Sequence, residues 1–207
     1  MKKTNLFIIL VLVLALALSA CTSKDNGNVD NNQVGDQVEG SKDSQTDDPI
    51  VNEDESSNER VMKMPSFTLK NIDGEEISSD IFGDYDLTII SIWQSTWPPC
   101  IGELEALKVI YDEYKEQGVN VLGISVDDVE TFGDDGVRKV IEVLELDFPN
   151  VIADYDYMYE LLQFIRSTPT AIVVDENGEF LLSPILGSMG KDKDIESFKA
   201  IIEDLKK

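Results

Sequence analysis

The side chain of this sequence best suited to chemistry is Cys100, which ends the run Trp97-Pro98-Pro99-Cys100. A cysteine thiolate attacks a disulfide, and a second cysteine nearby then releases the mixed disulfide that forms. In a C-x-x-C motif the first, attacking thiol would stand at Trp97, and Cys100 would be the second. Because Cys21 is the only other cysteine among the 207 residues, the spacing predicts a thiol without a neighbouring partner.

Cys21 has a different predicted role, because it ends a segment typical of exported lipoproteins. Two lysines precede an apolar run at 6–18, which is short for a membrane-spanning helix. The run Leu18-Ser19-Ala20-Cys21 then fits a bacterial lipobox, so we expect residues 1–20 to be a signal peptide and Cys21 to carry lipid. An ordinary cleaved signal peptide and an N-terminal transmembrane helix are the alternatives.

The composition divides the rest of the chain into two parts. Residues 21–60 comprise the lipidated cysteine and a segment rich in Asn, Asp, Ser and Glu with no periodic apolar pattern, which predicts a disordered acidic tether. Residues 61–207 are long enough for one folded domain. The expected location is therefore the bacterial cell membrane, with a lipid anchor and the domain on its extracytoplasmic side.

The net charge of the chain limits the classes of partner that it can bind. There are 17 Lys and Arg against 41 Asp and Glu, a formal net charge of −24. Binding to nucleic acid is excluded, since phosphates require clustered basic side chains. A basic protein partner fits this charge, although the charge also serves simply to keep an exported domain soluble.

Several other classes of site lack the residues that they need. The sequence has no histidine, which excludes His-based metal sites and catalytic triads, and it has no glycine-rich phosphate-binding motif. We interpret the acidic pairs Asp127-Asp128 and Asp134-Asp135 as solvated loop residues rather than calcium ligands. No metal and no cofactor are predicted.

A buried strand and a helix must position Cys100. The run 87–93 is almost entirely apolar, as in a parallel strand covered on both faces. A helix should follow, with Ser95 or Thr96 as its cap and the two prolines in its first turn. A second apolar run at 119–126 completes a β-α-β unit.

The remaining pattern predicts a helix around 137–144, a short strand at 151–152 and a helix around 158–165. Two strands at 171–175 and 179–182 should then form a hairpin, in which Asn177-Gly178 supplies the positive φ angles of a tight turn. A closing amphipathic helix carries Ile195, Phe198 and Ile202. The elements predict an α/β fold with a mixed sheet flanked by helices.

Three segments resemble the membrane-anchored thioredoxin-like thiol–disulfide oxidoreductases of the TlpA/ResA type, redoxins of the AhpC/TSA-like superfamily. The segments are 65–69 with Asp73-Gly74, 93–103, and Thr168-Pro169-Thr170 with the strand that follows. The likeness covers residues 61–207 and implies a thioredoxin-like fold with a redoxin-type insertion. It also implies that the protein is a monomer and that its partners are thiols or disulfides of envelope proteins.

The resemblance also implies a role for each site residue. Trp97 stands at the position of the attacking cysteine, and Cys100 at that of the resolving cysteine. Glu103 matches a glutamate that tunes the thiols. Pro169 matches a cis-proline that faces the dithiol, and Thr168 the residue whose backbone receives the substrate.

From the residues alone, other interpretations stay open. Cys100 is either an inert buried thiol or a reactive one at a helix start. Trp97 can be an exposed aromatic residue that contacts partners, Glu103 a solvated helix residue, and Pro169 an ordinary trans-proline.

Three function classes follow from these interpretations. The first is an exported oxidoreductase relative that is impaired as an autonomous dithiol reductase because Trp97 replaces a cysteine. The second is a binding module that keeps the groove beside Pro169 for extended peptides. The third is a single-cysteine peroxidase-like redoxin. Its sequence pattern, P-x-x-x-T-x-x-C, would require proline and threonine at positions 93 and 97, where this sequence has Trp93 and Trp97.

Overall fold

The computed structural model describes residues 62–207, so the predicted signal peptide, Cys21 and the predicted tether lie outside the described residues. The strands of this part are β1 (Thr68–Asn71), β2 (Glu76–Ser78), β3 (Leu87–Trp93), β4 (Val119–Ser125), β5 (Asn150–Ile152), β6 (Thr170–Asp175) and β7 (Ile185–Leu186). The α-helices are α1 (Pro98–Tyr114), α2 (Val129–Phe132), α3 (Asp135–Leu144), α4 (Tyr155–Leu161) and α5 (Lys191–Leu205). None of these helices is long and apolar enough to cross a membrane.

The strands form one mixed sheet in the order β2-β1-β5-β4-β3-β6-β7. Strands β3, β4 and β5 are parallel, whereas β6 pairs antiparallel with β3 and β1 pairs antiparallel with β5. All seven residues of β3 and of β4 are buried, because helices cover both faces of the central strands. The α/β class predicted from the sequence is therefore confirmed.

The two faces of the sheet carry separate hydrophobic cores. Ile89 and Trp93 of β3 point toward α1, α3 and α5, and this core includes Cys100. Ile90 and Ile92 point to the other face, where α4 and the first strand pack. The alternation follows from the two-residue period of a strand, and it places Ser91 on the same face as Cys100.

The predicted hairpin needs two corrections. Residues 179–182 do not form a continuous strand; Phe180 makes an isolated bridge to Val174, and β7 is the edge strand that pairs with β6. Of Asn177 and Gly178, only Gly178 has a positive φ, of 77°; the Gly178 N–H donates to the Asp175 carbonyl in this turn. The turn itself lies where the sequence predicts it.

Candidate active site

The loop between β3 and α1 carries the cysteine. Helix α1 begins at Pro98, and Pro98 and Pro99 fill its first two positions as predicted. The predicted cap is wrong, since Trp97 is the N-cap and no side chain caps the helix. The Cys100 N–H donates to the Trp97 carbonyl at 2.9 Å, so the two residues lie on one turn.

The thiol of Cys100 is completely buried, and Cys100 is a free cysteine. Burial raises its pKa above 9.0, because a thiolate is poorly solvated there. Hydrogen bonds from the Gln94 backbone and the Thr168 side chain lower the pKa in part, whereas the charges of Glu103 and Asp127 raise it. The thiol form is therefore favoured near neutral pH, as the inert-thiol interpretation expects.

Trp97 is the most exposed large side chain of the loop, with 50% of its surface accessible. The indole stands where the resemblance places an attacking cysteine. This exposure fits the interpretation of Trp97 as an aromatic residue available to partners.

Glu103 lies one turn further along α1 and is buried, so it is not a solvated helix residue. The Ser91 hydroxyl donates to its Oε2 at 2.5 Å. Burial raises the pKa of Glu103 to about 8, the Ser91 hydrogen bond lowers it, and the nearby charge of Asp194 raises it. At neutral pH this carboxyl group is mostly protonated.

Asp194 is a second buried carboxylate that the sequence interpretation missed. It accepts hydrogen bonds from Ser188 Oγ at 2.5 Å and from the Met189 N–H at 2.9 Å. These bonds tie the loop before α5 to that helix. Gly102 of α1 faces this loop, since a Cβ there would lie 3.9 Å from Ser188 Oγ.

Asp127, predicted to be a solvated loop residue, is only half-exposed and also has a structural role. Its carboxylate accepts hydrogen bonds from the Ser95 N–H at 2.9 Å, Ser95 Oγ at 2.6 Å and Ser125 Oγ at 2.8 Å. Asp127 therefore clamps the β3–α1 loop to the end of β4. The clamp also explains why Ser95 does not cap α1.

The segment before β6 faces the first turn of α1. The Thr168–Pro169 peptide bond is cis, as the resemblance implies, and Pro169 is buried. The Thr168 side chain lies close enough to the Cys100 thiol to lower its pKa, so this segment is near the cysteine. The Pro169 carbonyl accepts from Gly187, while no backbone hydrogen bond of the described residues uses Thr168.

Two signals in the sequence point to the missed residues. Ser91 is a polar residue on the inward face of an apolar strand, a position that requires a buried hydrogen-bond partner. Asp127 follows closely after a buried parallel strand, where loops from neighbouring strands converge. Within residues 62–207, no group of three or more acidic or cysteine side chains is arranged to hold a metal ion.

Residues 62–180 match the AhpC/TSA family. The chain is 32% identical to the thiol-disulfide oxidoreductase ResA of Geobacillus kaustophilus, over 64% of this chain and 71% of that protein. It is 30% identical to ResA of Halalkalibacterium halodurans over 56% of this chain, and it spans 62% of the length of that relative.

Solved structures support the same fold. A putative thiol:disulfide interchange protein DsbE from Chlorobium tepidum has a TM-score of 0.57 and 21% identity, covering 69% of this chain and 95% of that one. The thioredoxin domain of a thiol-disulfide oxidoreductase from Bacteroides vulgatus has a TM-score of 0.55 and 20% identity, covering 68% and 95%. These likenesses establish a thioredoxin-like fold. The chain therefore belongs to the AhpC/TSA family, as a thioredoxin-fold redoxin of the TlpA/ResA type.

Proposed function

We propose that this protein is an exported, lipid-anchored relative of the thiol–disulfide oxidoreductases that cannot complete a dithiol cycle by itself. The protein acts as a monomer on the extracytoplasmic side of the membrane. Its expected partners are envelope proteins with thiols or disulfides. The proposal is supported by the names of the similar ResA proteins and by the lipobox that ends at Cys21.

The observation that carries the proposal is that Cys100 is buried and that Trp97 stands where a dithiol site needs a second cysteine. In a complete cycle, one thiolate attacks a substrate disulfide, forms a mixed disulfide and releases the other substrate sulfur as a thiolate. A second thiol then attacks the mixed disulfide, so that the substrate gains two electrons and the two protein thiols become a disulfide. Trp97 supplies no sulfur, so the described domain lacks the pair that would carry those electrons.

The charges around Cys100 support the same conclusion. Attacking cysteines have a lowered pKa, usually beside a cation or a helix N-terminus. Here the charges that act on the thiol are negative, that of Asp127 and, above its pKa of about 8, that of Glu103, and both disfavour ionisation of the thiol. Burial of the thiol also disfavours the peroxidase-like alternative, because that chemistry requires an accessible thiolate.

A binding module is the second candidate function. The half-exposed Trp97 lies one turn from Cys100, and Thr168 lies close enough to that thiol to lower its pKa. The Thr168 backbone makes no hydrogen bond within residues 62–207, which leaves its polar groups available to an extended peptide. This groove would bind a protein segment without any electron transfer.

Reduction of insulin by dithiothreitol tests the proposal. The chain from residue 21 with Cys21→Ser should give no acceleration over dithiothreitol alone, whereas the same chain with Trp97→Cys should accelerate the reaction. Trp97→Ser is the matched control, since it removes the indole without adding a thiol. Turnover by the chain that keeps Trp97 would overturn the proposal, and so would equal turnover by the Trp97→Ser control.

A further inference from the structure

A cleft of about 710 Å³ opens between strand β1 and the first turns of α2 and α4. Its lining includes the buried side chains of Leu69 and Ala153 together with Met158. Asp127 and Asp154 also line it, and each follows a parallel strand, β4 or β5, by two residues. Crevices beyond the carboxyl ends of parallel strands are common ligand sites in α/β proteins.

Carboxylates dominate the charged groups of this cleft, which we call the acidic cleft. Its four acidic residues are Asp127, Asp128, Glu130 and Asp154, and its one basic residue is Lys70. None of these five side chains takes part in an ion pair within the described part of the chain. The cleft therefore presents a net negative charge, since one lysine stands against four carboxylates.

The carboxylates keep acceptor capacity for a ligand. Asp128 caps α2 with Oδ1 and Asp154 caps α4 with Oδ1, which leaves Oδ2 of each residue without a hydrogen bond inside residues 62–207. Glu130 is exposed and makes no side-chain hydrogen bond there. A guanidinium group bridges such oxygens with paired hydrogen bonds.

One exposed aromatic residue lines the cleft, and two more lie near its lining residues in the chain. Tyr155 lines the cleft with 76% of its surface accessible, and Tyr159, 70% accessible, stands one helical turn along the same face of α4. Phe132, 83% accessible, ends α2 directly after the lining residue Thr131. Aromatic faces next to carboxylates attract Lys and Arg side chains through cation–π contacts.

The negative charge of the acidic cleft indicates which kind of chain segment can bind there. Residues 22–60 of this chain carry 11 acidic and 3 basic residues, so the tether would be repelled by the acidic cleft. A second copy of a chain with a net charge of −24 would be repelled as well. A basic segment of another protein has the complementary charge.

We infer that the acidic cleft is a docking site for a segment of a partner protein that carries Arg or Lys side chains beside apolar ones. The cations lie against Asp128, Glu130 and Asp154, and the apolar side chains lie on the floor near Met158. This surface binds without thiol chemistry, so the inference does not depend on a redox role for Cys100.

Fluorescence anisotropy with a labelled octapeptide of alternating arginine and leucine tests the inference, on the chain from residue 21 with Cys21→Ser. Glu130→Gln with Tyr155→Ser should weaken binding by about fivefold to tenfold, since it removes one charge and one ring. Lys70→Glu should strengthen binding, because it removes the single cation of the cleft. The matched control is Glu142→Gln with Val143→Ser, exposed residues of α3 outside the cleft, which should change the affinity less than about twofold.

The outcomes separate a docking site from a general attraction to an acidic protein. Equal weakening by the control pair, or equal binding of a glutamate–leucine octapeptide, would overturn the inference. A concentration-dependent dimer in sedimentation that the Glu130→Gln and Tyr155→Ser pair abolishes would assign the cleft to a second copy instead. Circular dichroism spectra that match the parent chain establish that each variant is folded.

Discussion

At the scale of single residues, Asp127 has two effects on the candidate site. It holds the Ser95 loop through two hydrogen bonds, and its charge raises the pKa of Cys100, after the larger effect of burial. The charge favours the thiol form of the cysteine, and the hydrogen bonds fix the loop that leads to it. A carboxylate that appears from sequence to be a solvated loop residue thus adds to the effects that favour the thiol form of a cysteine 27 positions away in the chain.

Asp127→Asn should make Cys100 more reactive. The amide keeps one acceptor oxygen but loses the charge, so the pKa of the thiol falls and the loop loosens. We expect the native chain with Cys21→Ser to be labelled by an aromatic disulfide reagent about threefold to tenfold faster, with the pH midpoint of labelling shifted down. Asp128→Asn is the matched control, because Asp128 is the next residue and caps α2 without contacting the loop. An equal increase in the control, or none in Asp127→Asn, contradicts this account.

Glu103 gives a prediction about pH and stability. Its pKa is raised to about 8 in the folded chain, above its ordinary value of 4.5, so folding favours the protonated form. Between these values the unfolded chain has lost the proton and the folded chain keeps it. The free energy of unfolding therefore falls as the pH rises through this range, by at most about 1.4 kcal/mol per pH unit from this group.

Glu103→Gln should remove this fall in the free energy of unfolding with rising pH. In urea denaturation, the variant should gain stability relative to the parent chain as the pH rises from 5 to about 8, and the difference should then level off. Glu105→Gln, on the same helix but away from the Ser91 hydroxyl, should follow the parent chain. A stability difference that is constant with pH would show that Glu103 ionises normally in the folded chain.

At the scale of elements, the sequence predicted the parts that follow from periodicity. The apolar run of β3, the prolines of α1 and the amphipathic stripe of α5 each specify their own local structure. Contacts between distant segments could not be read in the same way. Ser95 has the composition of a helix cap, yet the fold brings Asp127 within 2.6 Å of its hydroxyl, and this tertiary contact outweighs the local preference.

Gly123 of β4 leaves room for the side-chain packing at the end of β3, next to the site loop. A Cβ at this position would lie 1.9 Å from Asn150 Oδ1 and 3.1 Å from Trp93 Nε1. The absence of a side chain lets Asn150 pack beside Trp93, the last residue of β3 before the site loop. The close approach also lets Asn150 Nδ2 donate to the Phe148 carbonyl.

Gly123→Ala should destabilise the chain by about 1–3 kcal/mol in urea denaturation, because Asn150 must move. Gly83→Ala is the matched control, since a Cβ there meets nothing within 4 Å. The control should lie within about 0.5 kcal/mol of the parent chain. If Gly123→Ala were as stable as the control, the packing of β4 against β5 would differ from the one described.

At the scale of the whole molecule, the account requires a lipid anchor, which the sequence predicts and which lies outside the described residues. Expressed in a bacterial host, the chain should incorporate a radiolabelled fatty acid, and Cys21→Ser should abolish this labelling. Cys100→Ser is the matched control and should leave it unchanged, because the buried thiol is not a lipidation site. Label that persists in Cys21→Ser would contradict the lipobox interpretation.

The central claim is that a single substitution, tryptophan for cysteine, separates this domain from a working dithiol site. The turn is retained, since the Cys100 N–H donates to the Trp97 carbonyl at 2.9 Å, and the prolines of the first turn are in place. Two thiols three positions apart on such a turn lie within the range of a disulfide.

Mild oxidation of the Trp97→Cys chain that also carries Cys21→Ser tests this claim most directly, with mass spectrometry and thiol counting as the measurements. The account predicts a monomer with an intramolecular disulfide, seen as the loss of two hydrogens and of both free thiols. Trp97→Ser should keep one free thiol under the same conditions. A folded Trp97→Cys chain that retains both thiols would contradict the account and leave the binding module as the better description of the protein.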